Sequence, residues 1–180
     1  MNNVSQIPVQ PGHSETISTL YTEYYNKIYK YILYRVGDHN IAEDLVSEVF
    51  EKVIAKYSTY KSEKAKFSTW LFTIANNTLI NYYKRSKDQH NMRLINCGKI
   101  ESKYRLEDLI IEQELKELLL KAIVNLDERQ RNIIAFKFGA GLTNREIAKI
   151  LNLTESNVGT ILYRSLKRLR DILKEQGVIC

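Results

Sequence analysis

Apolar residues recur along this chain at the three- and four-residue spacing of a helix face. Ile17, Leu20, Tyr21, Tyr24, Ile28, Tyr31 and Ile32 share one side of a helix predicted over 14–36. The stretch "GDHN" breaks it, and a second helix is predicted over 40–56. Its inner side is Ile41, Leu45, Val49 and Val53, widened by Val46 and Phe50. "YSTYKSEKAKFS" reads as a loop. A third helix then runs from about Phe67 to Arg85, with Leu71, Ile74, Ala75, Thr78 and Tyr82 inward. Residues 86–107 lack firm periodicity and are highly polar, as a linker is. From about Asp108 the helical spacing returns through Leu115, Leu118, Leu119 and Ile123 to "NLDERQRNIIAFKFGAG". There Asp127 is the expected N-cap and "GAG" the stop.

The stretch "TNREIAKILNLTESNVGTIL", 143–162, holds two abutting amphipathic segments. Thr143 to Glu146 is T-x-x-E, a capping box. Ile147, Ala148 and Leu151 form the buried face of the helix it starts. Asn152 stands where a tight turn needs a left-handed backbone, which Asn tolerates well. Thr154 is the expected cap of the next helix, with Val158, Leu162, Leu166 or Ser165, and Leu169 inward. Two helices joined by so short a turn make a helix-turn-helix. The second would present Glu155, Ser156, Asn157, Gly159 and Thr160 at its start, where such helices meet base edges. Arg164, Lys167, Arg168 and Arg170 follow, placed to neutralise phosphates.

Composition agrees with helices. The 180 residues include only two prolines and seven glycines. Length leaves one domain or two small ones open. The first thirteen residues read as a disordered tail without the basic and apolar regions of a signal peptide, and no apolar run reaches membrane-spanning length. A cytoplasmic location without membrane insertion is therefore expected. Cys97 and Cys180 lie far apart and near no histidine, which argues against zinc. No phosphate-binding G-x-x-x-x-G-K-[ST] motif occurs, and no metal or cofactor is expected.

Charge changes the picture more. From Asp38 to Glu51 there are five acids and no Lys or Arg, whereas 56–87 carries seven bases and one acid. Residues 155–174 carry five bases and two acids. Two separate basic segments suit nucleic acid, and the acidic one suits a basic protein surface. Asp44, Glu48 and Glu51 fall on one narrow arc of the second helix. On the third, Trp70, Thr73, Asn77, Asn81 and Lys84 form a stripe of groups able to stack on bases and bond to phosphates.

With these pieces in order, the chain resembles a bacterial sigma factor of the sigma-70 class, in particular the small extracytoplasmic-function type. Three stretches carry the resemblance: "LYTEYYNKIYKYILYRVGDHNIAEDLVSEVFEKV", "FSTWLFTIANNTLINYYKR" and "LDERQRNIIAFKFGAGLTNREIAKIL". It covers roughly 14–87 and 112–174. It implies an all-α fold of two small domains: a region-two-like bundle over 14–87 and a region-four-like helix-turn-helix domain over 112–177, joined by a flexible linker over 88–111.

By the same resemblance, Asp44, Ser47, Glu48 and Glu51 would meet the beta-prime clamp helices of core RNA polymerase. Relatives often have Gln where Ser47 stands. Lys61, Lys66, Trp70, Thr73, Asn77, Asn81 and Lys84 would capture the non-template strand of the minus-ten element. The loop from Tyr57 to Lys66 would receive an extruded base near Asn77. Glu155, Ser156, Asn157, Gly159, Thr160, Arg164, Lys167 and Arg168 would read the minus-thirty-five element. Many relatives carry Lys or Arg where Gly159 and Ile161 stand. The polymerase beta flap, promoter DNA and an anti-sigma protein are the other implied partners. Unstacking a base costs a few kcal/mol, which stacking and hydrogen bonding on the protein recover, so melting needs no ATP. The function implied is promoter recognition and the nucleation of melting, with no enzymatic activity of its own.

Two other readings explain less. A helix-turn-helix regulator with a helical effector or dimerisation domain accounts for 143–170 but leaves the acidic arc and the Trp70–Lys84 stripe without a role. A recombinase or nuclease would need clustered carboxylates or a nucleophile beside arginines. Here the carboxylates share one helix face without metal-ligand neighbours.

Overall fold

The computed structural model describes residues 13–89 and 107–178; side chains are described for 18–86 and 114–178. The predicted N-terminal tail, most of the linker, Cys97 and Cys180 lie outside these residues.

The described residues are helical, without strands. Helices α1 (His13–Val36), α2 (His39–Lys56) and α3 (Phe67–Gln89) form the first unit. A 3₁₀ turn, Tyr57–Thr59, leads into the loop before α3. The second unit holds α4 (Glu107–Val124), α5 (Glu128–Ile134), α6 (Asn144–Leu151) and α7 (Glu155–Glu175). Between α5 and α6 the chain widens into a π-helical turn, Ala135–Gly139.

Local chemistry sets the boundaries. Gly37, at φ 71°, turns the chain at the end of α1. The Asp38 side chain then accepts from the Ile41 amide and caps α2. That helix buries Leu45, Val46, Val49, Phe50 and Val53 as its spacing predicted, and Ala42 as well. Asp127 caps α5 by accepting from the Gln130 amide. Thr143 and Glu146 form the reciprocal capping box at α6, and Asn152 takes the left-handed conformation, φ 53°. Thr154 caps α7 through the Asn157 amide. Each cap satisfies amides that a helix start leaves open, contributing ~1 kcal/mol.

The two units pack on each other. One continuous core runs from Ile28, Tyr31 and Ile32 of α1, through Leu71, Phe72 and Leu79 of α3, to Ile133, Phe136 and Ile147 of the second unit. A smaller core inside the second unit joins Ile123, Leu126, Ile134, Leu169 and Ile172. The buried side of α3 is accordingly broader than its own periodicity indicates. Thr69, Phe72, Asn76 and Leu79 are buried, while Ile74 and Tyr82 are only partly so.

Candidate functional site

The acidic arc is built on the outer side of α2, whose inner side is pinned by the core. Asp44, Ser47 and Glu51 are exposed there. Glu48 is less free than its spacing suggests. Lys52 Nζ lies 2.6 Å from Glu48 Oε1 and Arg85 Nη2 lies 3.1 Å from Oε2. Lys52 also donates to Thr78 Oγ1 at 3.1 Å. Burial pulls the Glu48 carboxyl upward, but the Lys52 and Arg85 hydrogen bonds outweigh it and leave it below the usual carboxylate range. Lys52 was legible as an i,i+4 partner. Arg85, thirty-seven positions away, had no local signal. Among the described residues Asp44 and Glu51 have no ion pair. Ser47 turns its hydroxyl back onto the Glu43 carbonyl, 3.1 Å away.

The predicted minus-ten residues separate into two groups. Asn77, Asn81 and Lys84 stand exposed along α3, and Lys61 and Lys66 are exposed in and at the end of the loop. Trp70 and Thr73 are only partly open. The indole packs on Tyr60 and Phe67, with centroids 5.3 and 5.5 Å away. Phe67 also meets Tyr24 and Tyr57. Tyr60 donates to the Ala65 carbonyl at 3.2 Å and closes the loop. Trp70 therefore anchors the loop, with part of its face left over. Thr73 spends its proton on the Thr69 carbonyl, 2.7 Å away, and keeps only acceptor capacity outward. Lys66 reaches across to Glu146 of the helix-turn-helix at 3.4 Å.

On α7, Glu155, Ser156, Thr160, Arg164, Lys167 and Arg168 are exposed, and Asn157 and Gly159 are half-open. They share one face because Val158, Ile161, Ser165, Leu169 and Ile172 take the other. Of the two inward alternatives at the middle of α7, Ser165 is buried and donates to the Ile161 carbonyl at 2.7 Å, whereas Leu166 is 41% exposed. Ile161 is itself core. A Cβ on Gly159 would meet only Asn144 Nδ2, at 3.8 Å, which leaves the outer face of α7 open at that point. Sequence reasoning missed Arg145. It projects from the first turn of α6, 78% exposed, with Nε 3.6 Å from Glu155 Oε2. Arg145 thus adds an exposed cation on α6 beside the start of α7.

The described helices thus carry an acidic face on α2, a basic and amide-bearing face on α3, and a helix-turn-helix with a basic tail. A sigma-70 region 2 model matches residues 20–89, and a sigma-70 region 4 model matches 116–169. The chain belongs to the sigma-70 family. Within that family its relatives are of the extracytoplasmic-function type. It is 29% identical to the ECF RNA polymerase sigma factor BldN of Streptomyces coelicolor, over 93% of this chain and 64% of that protein. It is also 29% identical to the ECF sigma factor SigX of Bacillus subtilis, over 90% of this chain and 87% of that protein. Among solved structures it shares its fold with the sigma factor RpoE of Bartonella quintana, crystallised with the anti-sigma factor NepR. The TM-score is 0.71 at 20% identity, over 89% of this chain and 98% of that one.

Proposed function

We propose that this protein is a promoter-specificity subunit that binds core RNA polymerase, directs it to particular promoters and nucleates their melting. The observation that carries this reading is the pairing of surfaces on one chain. Asp44 and Glu51 stand uncommitted on α2, while the DNA-facing groups lie on α3 and α7. In this division of labour, residues 14–87 dock on the clamp helices of beta-prime and hold the minus-ten strand. Residues 112–177 read the minus-thirty-five element and meet the beta flap.

Asp44, Glu48 and Glu51 supply the polymerase contact, with Glu48 oriented by Lys52 and Arg85. Asn77, Asn81, Lys61 and Lys84 hold extruded bases and phosphates beside the half-open Trp70. At the start of α7, Asn157, Thr160, Ser156 and Glu155 meet base edges, while Arg164, Lys167 and Arg168 anchor phosphates. Bond-making belongs to the polymerase, so the protein acts without an activity or cofactor of its own. None of its described helices is long and apolar enough to cross a membrane, and its place of work is the cytoplasm. An anti-sigma protein is the natural inhibitor, since RpoE was crystallised with one.

The test is reconstitution. Core polymerase with the purified protein should start RNA synthesis at discrete genomic sites, found by sequencing the transcripts. Initiation that is the same without the protein would end this reading. A dimer bound to a palindrome, with no polymerase dependence, would favour the simple regulator instead.

A further inference from the structure

The start of α7 carries no cation. Residues 155–163, "ESNVGTILY", are free of Lys and Arg, and the basic tail begins at Arg164. Guanine is most often read by an Arg or Lys that bonds its O6 and N7 together. Recognition helices meet base edges through their N-terminal residues, and this stretch has no group of that kind to offer. Arg145, on α6 at the same end, faces Glu155, with Nε 3.6 Å from Oε2. That pairing also occupies Glu155, a carboxylate able to accept from the cytosine amine.

What the stretch offers instead suits A·T pairs. The backbone amide of Asn157 donates to the Thr154 hydroxyl at 3.2 Å, while its side-chain amide has no partner among the described residues. A donor and an acceptor side by side match the N6 and N7 of adenine. Thr160 donates its proton to the Ser156 carbonyl at 3.0 Å, which leaves a methyl group and an acceptor for a base edge. One turn on, Tyr163 is 71% exposed, more than any other large apolar side chain among the described residues. Its hydroxyl has no hydrogen-bond partner among them either. Ser156, Thr160, Tyr163 and Lys167 fall at i, i+4, i+7 and i+11, in one line along the helix. Gly159 lies beside that line and adds no side chain, so a base edge can come close to Thr160 and Tyr163.

In the major groove the apolar group that a base pair presents is the C5-methyl of thymine. We propose that α7 reads a run of A·T pairs, with Asn157 on an adenine and the Tyr163 ring, beside Thr160, on the methyl group of a thymine, and that residues 155–163 read no guanine. Tyr163 is then a specificity-determining residue, and the cations from Arg164 onward act on phosphates. This rests on the promoter-factor reading above and names the base pairs it uses.

Selection from randomised duplex DNA with the full-length protein tests the base preference. Transcription by core polymerase from templates carrying the recovered duplex tests the reading beneath it. The recovered sites should hold adjacent A·T pairs at the positions whose preference Asn157→Ala and Tyr163→Ala alter. Deoxyuridine in place of the thymine removes only the methyl group. It should weaken wild-type binding about fourfold, the worth of one buried methyl group, and leave binding by Tyr163→Ala unchanged. Tyr163→Phe retains the ring and should retain that discrimination. Gly159→Arg sets a guanidinium at the open helical position and should turn one A·T preference into G·C by about tenfold or more. A G·C pair at the positions sensitive to Tyr163→Ala, recovery of no preferred sequence, or equal binding of thymine and uracil duplexes by the wild type would overturn the proposal. Sites of the expected kind that never support transcription with core polymerase would sink the promoter-factor reading and leave the base preference standing.

Discussion

Reversing the charge of Asp44 is the most direct probe of the proposed polymerase-docking surface. Of the five acids between Asp38 and Glu51, Asp38 is occupied in capping α2 and Glu48 is held by Lys52 and Arg85. Glu43, Asp44 and Glu51 are left without an ion pair among the described residues. Asp44→Lys therefore changes the uncommitted charge of the face from three negatives to a net of one. Removing one partner of a charge pair that becomes buried on docking costs about 2–5 kcal/mol, and a like charge adds repulsion. At about 1.4 kcal/mol per decade, core affinity should weaken by roughly 10²–10⁴-fold. The fold should not notice. Asp44 is exposed, surface changes usually stay within about 0.5 kcal/mol, and Lys is a better helix former than Asp. Equilibrium binding to labelled core polymerase, beside thermal unfolding by circular dichroism, reads both quantities. Glu114→Lys on α4 is the control, because it makes the same charge change at an exposed site elsewhere. Affinity for core within threefold of wild type would refute the docking assignment, as would equal losses from both variants.

Four further outcomes follow from the geometry. Alanine at Asn157 and Thr160 should shift minus-thirty-five preference by about 1–3 kcal/mol per contacted base. Arg168→Ala should instead weaken all sequences alike and reduce the salt slope by about 0.9; a change of preference with Arg168→Ala would contradict its phosphate role. Thr143→Ala should lose about 1–2 kcal/mol by breaking the capping box at α6, read as a fall in Tm, and an unchanged Tm would show the box to be idle. Glu146 is drawn upward by burial but held below the usual carboxylate range by the Thr143 and Lys66 hydrogen bonds. A carboxyl depressed in the folded state contributes stability above its unfolded pKa of about 4.3 and loses it as pH falls through the folded value. The acid limb of denaturant unfolding should therefore be shallower in Glu146→Gln; a superimposable limb would exclude this contribution.

Most of the local helix geometry around the candidate site was legible because its signals are local. A cap, a left-handed turn residue and an apolar stripe are each encoded within a few positions, and Asp127, Thr143, Asn152 and Thr154 stand as expected. The choice between Ser165 and Leu166 was not legible, since a drift of one position along a long helix turns a side chain from core to solvent. Arg85 on Glu48 and Phe136 on Tyr31 were equally hidden. These partners lie far apart in the sequence, and no periodicity within one helix reports which neighbour covers its second face. Asn76 illustrates the limit. By spacing it is an ordinary polar position beside the Trp70–Lys84 stripe, yet it is 8% exposed and accepts from Tyr31. It is buried where α3 meets Tyr31 of α1, whose hydroxyl also reaches Asn132 of the second unit.

The packing of the two units shows the same dependence on distant partners. Tyr31 stacks on Phe136 with ring centroids 4.4 Å apart, and a Cβ on Gly139 would stand 2.8 Å from the Tyr31 amide nitrogen. Buried Arg35 donates to the Glu128 carbonyl at 3.0 Å and lies 3.6 Å from the Glu128 carboxylate. Arg131 donates to the Arg35 carbonyl at 3.3 Å. Each of these groups meets a partner on another helix, so no spacing within α1 announces it. A buried guanidinium is tolerated only where such partners answer its donors, which is why Arg35 reads from the sequence as an ordinary end-of-helix cation and stands in the structure as a bridge to the second unit.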